Sequence, residues 1–191
     1  MNVAMKWAVV LVAVAVLAAA CVRFGVVGPG RVDIAGVYTV DSPVAWNRSS
    51  EGKSEMWTVD GLDLQRLTFV NGLADGDALF EAEGDNAENP PRFHSNMSPV
   101  EIKELIEAGF RASGAHQLET YDFRPEMFGS LPGYRFEFSY TLASGLENEG
   151  TLIGANKDGK LYLIVYTGTR FYYYGKHKDD VERLIASIRI L

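Results

Sequence analysis

Few residues in this 191-residue chain have the types and spacing that chemistry demands. His94, His116 and His177 are its three histidines, and no two stand four apart as a helical metal pair would. The elbow sequence that presents a nucleophilic serine on a strand-to-helix turn is absent. A hydrolase with His94 or His116 as base is therefore the alternative reading, with its triad gathered from separate elements. Asp75-Gly76-Asp77 opens like a calcium loop, in which carboxylate oxygens would hold the ion. The remaining ligand spacing is missing, so Asp75, Asp77, Glu81, Glu83, Asp85 and Glu88 read as a solvated surface loop. No motif calls for a metal or cofactor. The aromatics are more conspicuous: Trp46, Trp57 and the run Phe171-Tyr172-Tyr173-Tyr174. Alternate members of a strand face opposite sides. One set then packs the core; the other either lies beneath helices that cover both faces or forms a binding patch, since aromatics dominate interface hot spots. Trp46, Trp57, Tyr172 and Tyr174 are the candidate partner contacts.

The single cysteine carries the strongest signal. Lys6 supplies an early positive charge, Trp7 to Leu17 an apolar run, and Ala18, Ala19 and Ala20 the small residues of a cleavage site. Cys21 follows directly. Bacterial lipoprotein signals look like this, although the usual leucine three places before the cysteine is here Ala18. Residues 1–20 are then a signal peptide, and Cys21 receives the lipid. Each buried methylene contributes about 0.8 kcal/mol, so several acyl chains, palmitate among them, would hold the protein to a membrane essentially permanently. Ordinary cleavage after Ala20 and an uncleaved anchor are the alternatives. A spanning helix needs about 20 apolar residues, and Arg23 interrupts this run early. Val22 stands where an aspartate would favour inner-membrane retention. The expected location is therefore the bacterial cell envelope, lipid-anchored and periplasm-facing, at the outer membrane rather than the inner.

Charge narrows the partners. The formal net charge is −7, and no basic cluster is present to replace counterions, which sets nucleic acid aside. The acidity serves solubility. The length fits one domain, large enough to bury a core without staples. With Cys21 lipidated no thiol remains for disulfides or cysteine catalysis, and an oxidising compartment holds no hazard.

The elements follow in order. Gly25, Gly28, Pro29 and Gly30 break regular structure, so residues 21–35 read as a tether ahead of a single domain over 36–191. Strands are expected over Gly36–Trp46, Met56–Val59 and Leu62–Val70, the last two joined at Asp60-Gly61. Asn47–Glu55 reads as a loop, and so does Asn71–Asn96. Ser98, Pro99 and Glu101 start a helix through a capping box. Its apolar stripe is Ile102, Leu105, Ile106, Gly109 and Phe110, and Gly114 ends it. Leu118–Phe123 is a strand and Arg124–Gly133 a loop. Tyr134–Leu142 alternates strictly, Thr151–Asn156 is a strand, and Lys157–Lys160 is a tight turn. Leu161–Tyr166 is apolar on both faces, as a covered central strand requires. Asp179–Ile190 closes as a helix, with Val181, Leu184, Ile185 and Ile188 on one face. Together these give an α+β fold, an α/β/α sandwich around a central antiparallel sheet.

The second half resembles the PsbP-like family. The resemblance rests on Tyr134-x-Phe136-x-Phe138, Leu152-Ile153-x-Ala155, Lys157-Asp158-Gly159-Lys160-Leu161-Tyr162, Gly168 with Arg170-Phe171, and a helix through Val181 and Ser187. Tyr38, Pro43 and Trp46 extend it loosely into the first half. It implies the same α/β/α sandwich and non-enzymatic work, either assisting assembly of membrane complexes or serving as a binding adaptor. A protein partner in the envelope is the corresponding expectation.

Overall fold

The capping box at Ser98 works as its residues dictate. In the computed structural model, which describes residues 25–79 and 90–191, the Glu101 amide donates to the Ser98 hydroxyl at 3.3 Å. The Ser98 amide donates to the Glu101 carboxylate at 2.7 Å. Helix α1 then runs over Pro99–Ala112 and buries Ile102, Leu105, Ile106, Gly109 and Phe110 along one face.

That face lies on the larger of two sheets. The strands, in chain order, are β1 (Gly25–Val27), β2 (Gly30–Ile34), β3 (Tyr38–Ser42), β4 (Trp46–Glu51), β5 (Ser54–Thr58) and β6 (Gln65–Leu73). After α1 come β7 (His116–Phe128), β8 (Leu131–Thr141), β9 (Glu147–Lys157) and β10 (Lys160–Thr169). Helix α2 (Tyr173–Ala186) and β11 (Arg189–Ile190) close the chain. The main sheet has the order β1-β4-β5-β6-β10-β9-β8-β7, and the small one β11-β3-β2. Every pairing is antiparallel.

Strand periodicity places the layers. On β8, Tyr134, Phe136, Phe138 and Tyr140 pack with the buried stripe of α1. On β10, Leu161, Leu163 and Val165 join that same cluster, while Tyr162, Ile164 and Tyr166 join the core under α2 and the small sheet. β10 is thus the doubly covered central strand that its unbroken apolar sequence predicts. The result is a three-layer α+β sandwich with α1 on one side and α2 with the small sheet on the other. Full burial of each large apolar side chain contributes about 1.5–3 kcal/mol, so these two clusters dominate stability. The β9–β10 turn is also as expected. Asp158 and Gly159 both have positive φ, as the two-residue turn between right-twisted strands requires.

Five local expectations change in the structure, most of them through strand pairing. The supposed tether is structured from Gly25 onward, because Gly28-Pro29 interrupts the chain only long enough to switch it from one sheet to the other. Asn47–Glu55 is not a loop but most of the β4–β5 hairpin. Its polar residues lie on the paired strands themselves, and Arg48 reaches Glu55 at 3.5 Å. Arg124–Gly133 is likewise a hairpin. Pro125 is tolerated because β7 is the edge strand, where a missing amide breaks no ladder. Finally, α2 begins at Tyr173 rather than Asp179 and ends at Ala186. Tyr174 and His177 extend its buried stripe toward Val181, but as polar types they hide it from a hydrophobic pattern. The loop expected over Asn71–Asn96 loses its first residues to β6, and its Phe93 is buried.

Candidate functional site

Three of the four candidate aromatics are inside the protein. Trp46 and Trp57 are buried with ring centroids 6.3 Å apart, and Trp57 packs on Phe69 at 4.6 Å. Their indole N–H groups are satisfied: Trp46 donates to the Ser42 hydroxyl at 2.9 Å and Trp57 to Glu55 at 2.6 Å. Tyr174 is buried too, its hydroxyl 2.8 Å from Thr151 and donating to Glu137 at 3.1 Å. Burial pushes that phenol well above its ordinary range. Only Tyr172 stands at the surface, 62% exposed, beside Phe171 at 90%. The four do not form one patch, because residues 170–172 are a turn and strand alternation does not apply to them.

The ionisable residues hold the layers together. His177 is buried, with Nε2 3.1 Å from Asp60 and Nδ1 3.3 Å from Asp180. Lys176 donates to the other Asp60 oxygen at 2.5 Å. Burial pushes Asp60 up, but the hydrogen bonds and charges of Lys176 and His177 outweigh it and hold the carboxyl below its usual value. Both ring nitrogens of His177 therefore face carboxylates. Further along α2, Glu182 binds Arg135 of β8 through two oxygens, one at 2.8 Å, and Arg135 also donates to Glu137 at 2.8 Å and 3.1 Å. The hydrogen bond from Arg135 lowers the Glu182 carboxyl.

The other two histidines are exposed and far apart. His94 lies 3.6 Å from Asp75, whose carboxylate also accepts the Ser95 amide at 2.8 Å. His116 opens β7 opposite Thr141, at the other end of the sheet. Asp77 accepts from the Ala74 amide at 2.8 Å and pairs with Lys53. These carboxylates brace a turn. Glu81, Glu83, Asp85 and Glu88, like Cys21, lie outside the described residues. Among the described residues no group of three or more His, Cys, Asp or Glu is placed to hold a metal. An open cleft of about 530 Å³ is lined by Gln117, Glu119, Ser139, Thr141, Glu147 and Arg170 among others. Its cation is committed, since Arg170 is 3.1 Å from both Glu147 and Glu149.

What the sequence did not reveal is an apolar end to the main sheet. Strand registers place Val26 beside Asn47, Asn47 beside Thr58, and Gln65 and Glu149 on either side of Gly168. The β5–β6, β8–β9 and β10–α2 turns therefore emerge at one end. Each exposes a large apolar side chain: Val59, Leu146, and Phe171 with Tyr172. Val26, 76% exposed on β1, joins that row. Such a concentration marks a contact surface. Only the aromatic run hinted at it, because the other members are separated in sequence by whole strands.

No protein-family profile matches the chain, and no characterised protein matches it in sequence. Among the described residues, no helix is long and apolar enough to cross a membrane. Solved structures do resemble it. A Bacteroides thetaiotaomicron crystal structure is 11% identical with a TM-score of 0.49, covering 86% of this chain and 49% of its own, so the chain spans about half that protein's length. LpqN of Mycobacterium tuberculosis, described as involved in cell envelope biogenesis, is a looser likeness: 8% identical, TM-score 0.37, with 88% and 84% covered. Cyanobacterial PsbP from Synechocystis, known as CyanoP, is 13% identical with a TM-score of 0.55, covering 90% of this chain and 94% of that one. It matches over nearly the whole of both chains, and on this likeness the chain has the PsbP-like fold.

Proposed function

We propose that this is a lipid-anchored envelope protein that works by docking rather than by bond-making, as a non-catalytic binding or assembly factor. The observation that carries the reading is the division of labour among its side chains. The histidine, arginine and carboxylates nearest α2 are spent joining layers, while the outer face of α1 and the edge strand β7 offer surface to a partner. A catalyst would need the reverse. The anchor is Cys21, the compartment is the bacterial envelope facing the periplasm, and the residue after the cysteine favours the outer membrane. The partner is an envelope protein. The alternative, a hydrolase using His94 or His116 as base, has as its nearest cluster His94 3.6 Å from Asp75, whose carboxylate also accepts the Ser95 amide.

The test is a pull-down of the anchored protein from its own membranes, beside a panel of generic esters. Enrichment of one protein without turnover supports docking. Turnover that disappears in His94→Ala or His116→Ala, with no protein enriched, overturns it.

A further inference from the structure

We infer that the apolar end of the main sheet rests in the interfacial layer of the bilayer, which fixes the orientation of the domain on its membrane. This inference deepens the lipid-anchor reading and rests on it.

Three observations converge. The first is reach. Three residues separate Cys21 from Gly25, the first described residue of β1. Four steps of extended chain span at most about 14 Å. The main sheet has eight strands, and at about 4.8 Å per step it is about 34 Å wide. A leash shorter than the body it holds keeps that body against the headgroups.

The second is where the leash enters. β1 is an edge strand, and Val27 pairs with Trp46, which begins β4 at the apolar end. Gly25, where the leash attaches, lies beside Arg48, two strand residues short of that end, and β1 runs toward it. β10, which leads into the aromatic turn, lies four strand steps away, about 19 Å.

The third is chemistry. Phe171 supplies an apolar ring and Tyr172 the amphipathic ring that favours a membrane–water boundary. Val59, Leu146 and Val26 extend the row. Lys176 stands over the Tyr172 and Tyr173 rings, 5.9 Å and 5.8 Å from their centroids. Arg170 pairs with Glu147 and Glu149 and Lys176 with Asp60, while Asp63 and Glu119 are exposed nearby, so the excess charge at this end is negative. Such a surface suits zwitterionic lipid rather than an anionic headgroup. This orientation leaves the outer face of α1 and the β7 edge free for a protein partner.

The full acylated chain, purified from membranes and placed in phosphatidylcholine vesicles, provides the test. A fluorophore is attached at Tyr172→Cys or, about 30 Å away along β8, at Met127→Cys on the β7–β8 hairpin. The vesicles carry lipids with a nitroxide near the headgroup. Quenching at position 172 and its loss at 127 is the expected result. Leu146→Cys reports on the same end should Tyr172→Cys fail to fold, and Phe171→Ser with Tyr172→Ser should abolish its quenching. Equal quenching at both ends, quenching at 127 alone, or photocrosslinking of position 172 to a protein in native membranes overturns the inference. The intact mass of the amino terminus separates the two failures. An acylated Cys21 without quenching at 172 defeats the orientation alone, whereas an unmodified thiol defeats the anchor and the orientation with it.

Discussion

One methyl group added on either side of the aromatic turn should have opposite effects. A Cβ on Gly168 would lie 2.7 Å from the Tyr174 nitrogen, 2.8 Å from its Cα and 3.1 Å from the Tyr173 carbonyl carbon. Carbon contacts are comfortable at about 3.5–4.0 Å. The obstructing atoms are all backbone, so no side chain can rotate away. β10 is held on both sides, with Gln65 and Glu149 flanking Gly168, so the start of α2 must give. Overpacking costs about 1–3 kcal/mol, and unyielding neighbours put Gly168→Ala at the upper end, about 3. At about 2–4 °C per kcal/mol in a domain this size, Tm should fall by about 6–12 °C. Gly175 lies in the first turn of α2 with nothing within 4 Å of its Cβ position. Alanine there restricts the unfolded chain and should stabilise by about 0.4–1 kcal/mol. Thermal and urea unfolding, followed by circular dichroism and tryptophan fluorescence, measure both. A Gly168→Ala variant as stable as the parent would refute the seating of α2 on β10. Equal losses at both glycines would show that the first turn of α2 is not as open as described.

Four further outcomes follow from other contacts. Arg135→Ala removes the cation between two carboxylates and leaves Glu137 largely buried and uncompensated, a loss of about 3–5 kcal/mol by urea titration. Glu182→Gln should cost well under that, since Glu182 is more exposed and a neutral amide still accepts from Arg135. Asp60 titrates below its unfolded value, so its contribution is complete above the unfolded pKa and is lost as pH falls through the lower folded value. Acid-unfolding curves should therefore show a smaller pH dependence below about pH 4 in Asp60→Asn than in the parent, and unchanged curves would remove Asp60 from the account. Ser98→Ala should cost about 1 kcal/mol through the lost cap of α1, read as a lower urea midpoint.

The sequence by itself determined what depends on neighbours along the chain. Ser98, Pro99 and Glu101 started α1 because a cap is made within one turn. The strict alternation from Tyr134 to Tyr140 named a strand and its buried face, because side chains on a strand alternate whatever lies beyond it. Asp158-Gly159 made its hairpin turn because those two residues accept positive φ. The tertiary structure decided what depends on residues far apart. Asn47–Glu51 and Arg124–Phe128 became strands because partners were available to take their hydrogen bonds, an effect that overrides polar composition and proline at an edge. His177 became a fixed bridge only because Asp60, 117 positions away, meets it under α2. Trp46, Trp57 and Tyr174 went inside, while Phe171 and Tyr172 stayed out, because burial is set by which layers close over a side chain. The apolar end exists for the same reason: antiparallel pairing brings turns that are distant in sequence to a single rim, and no local pattern encodes that proximity.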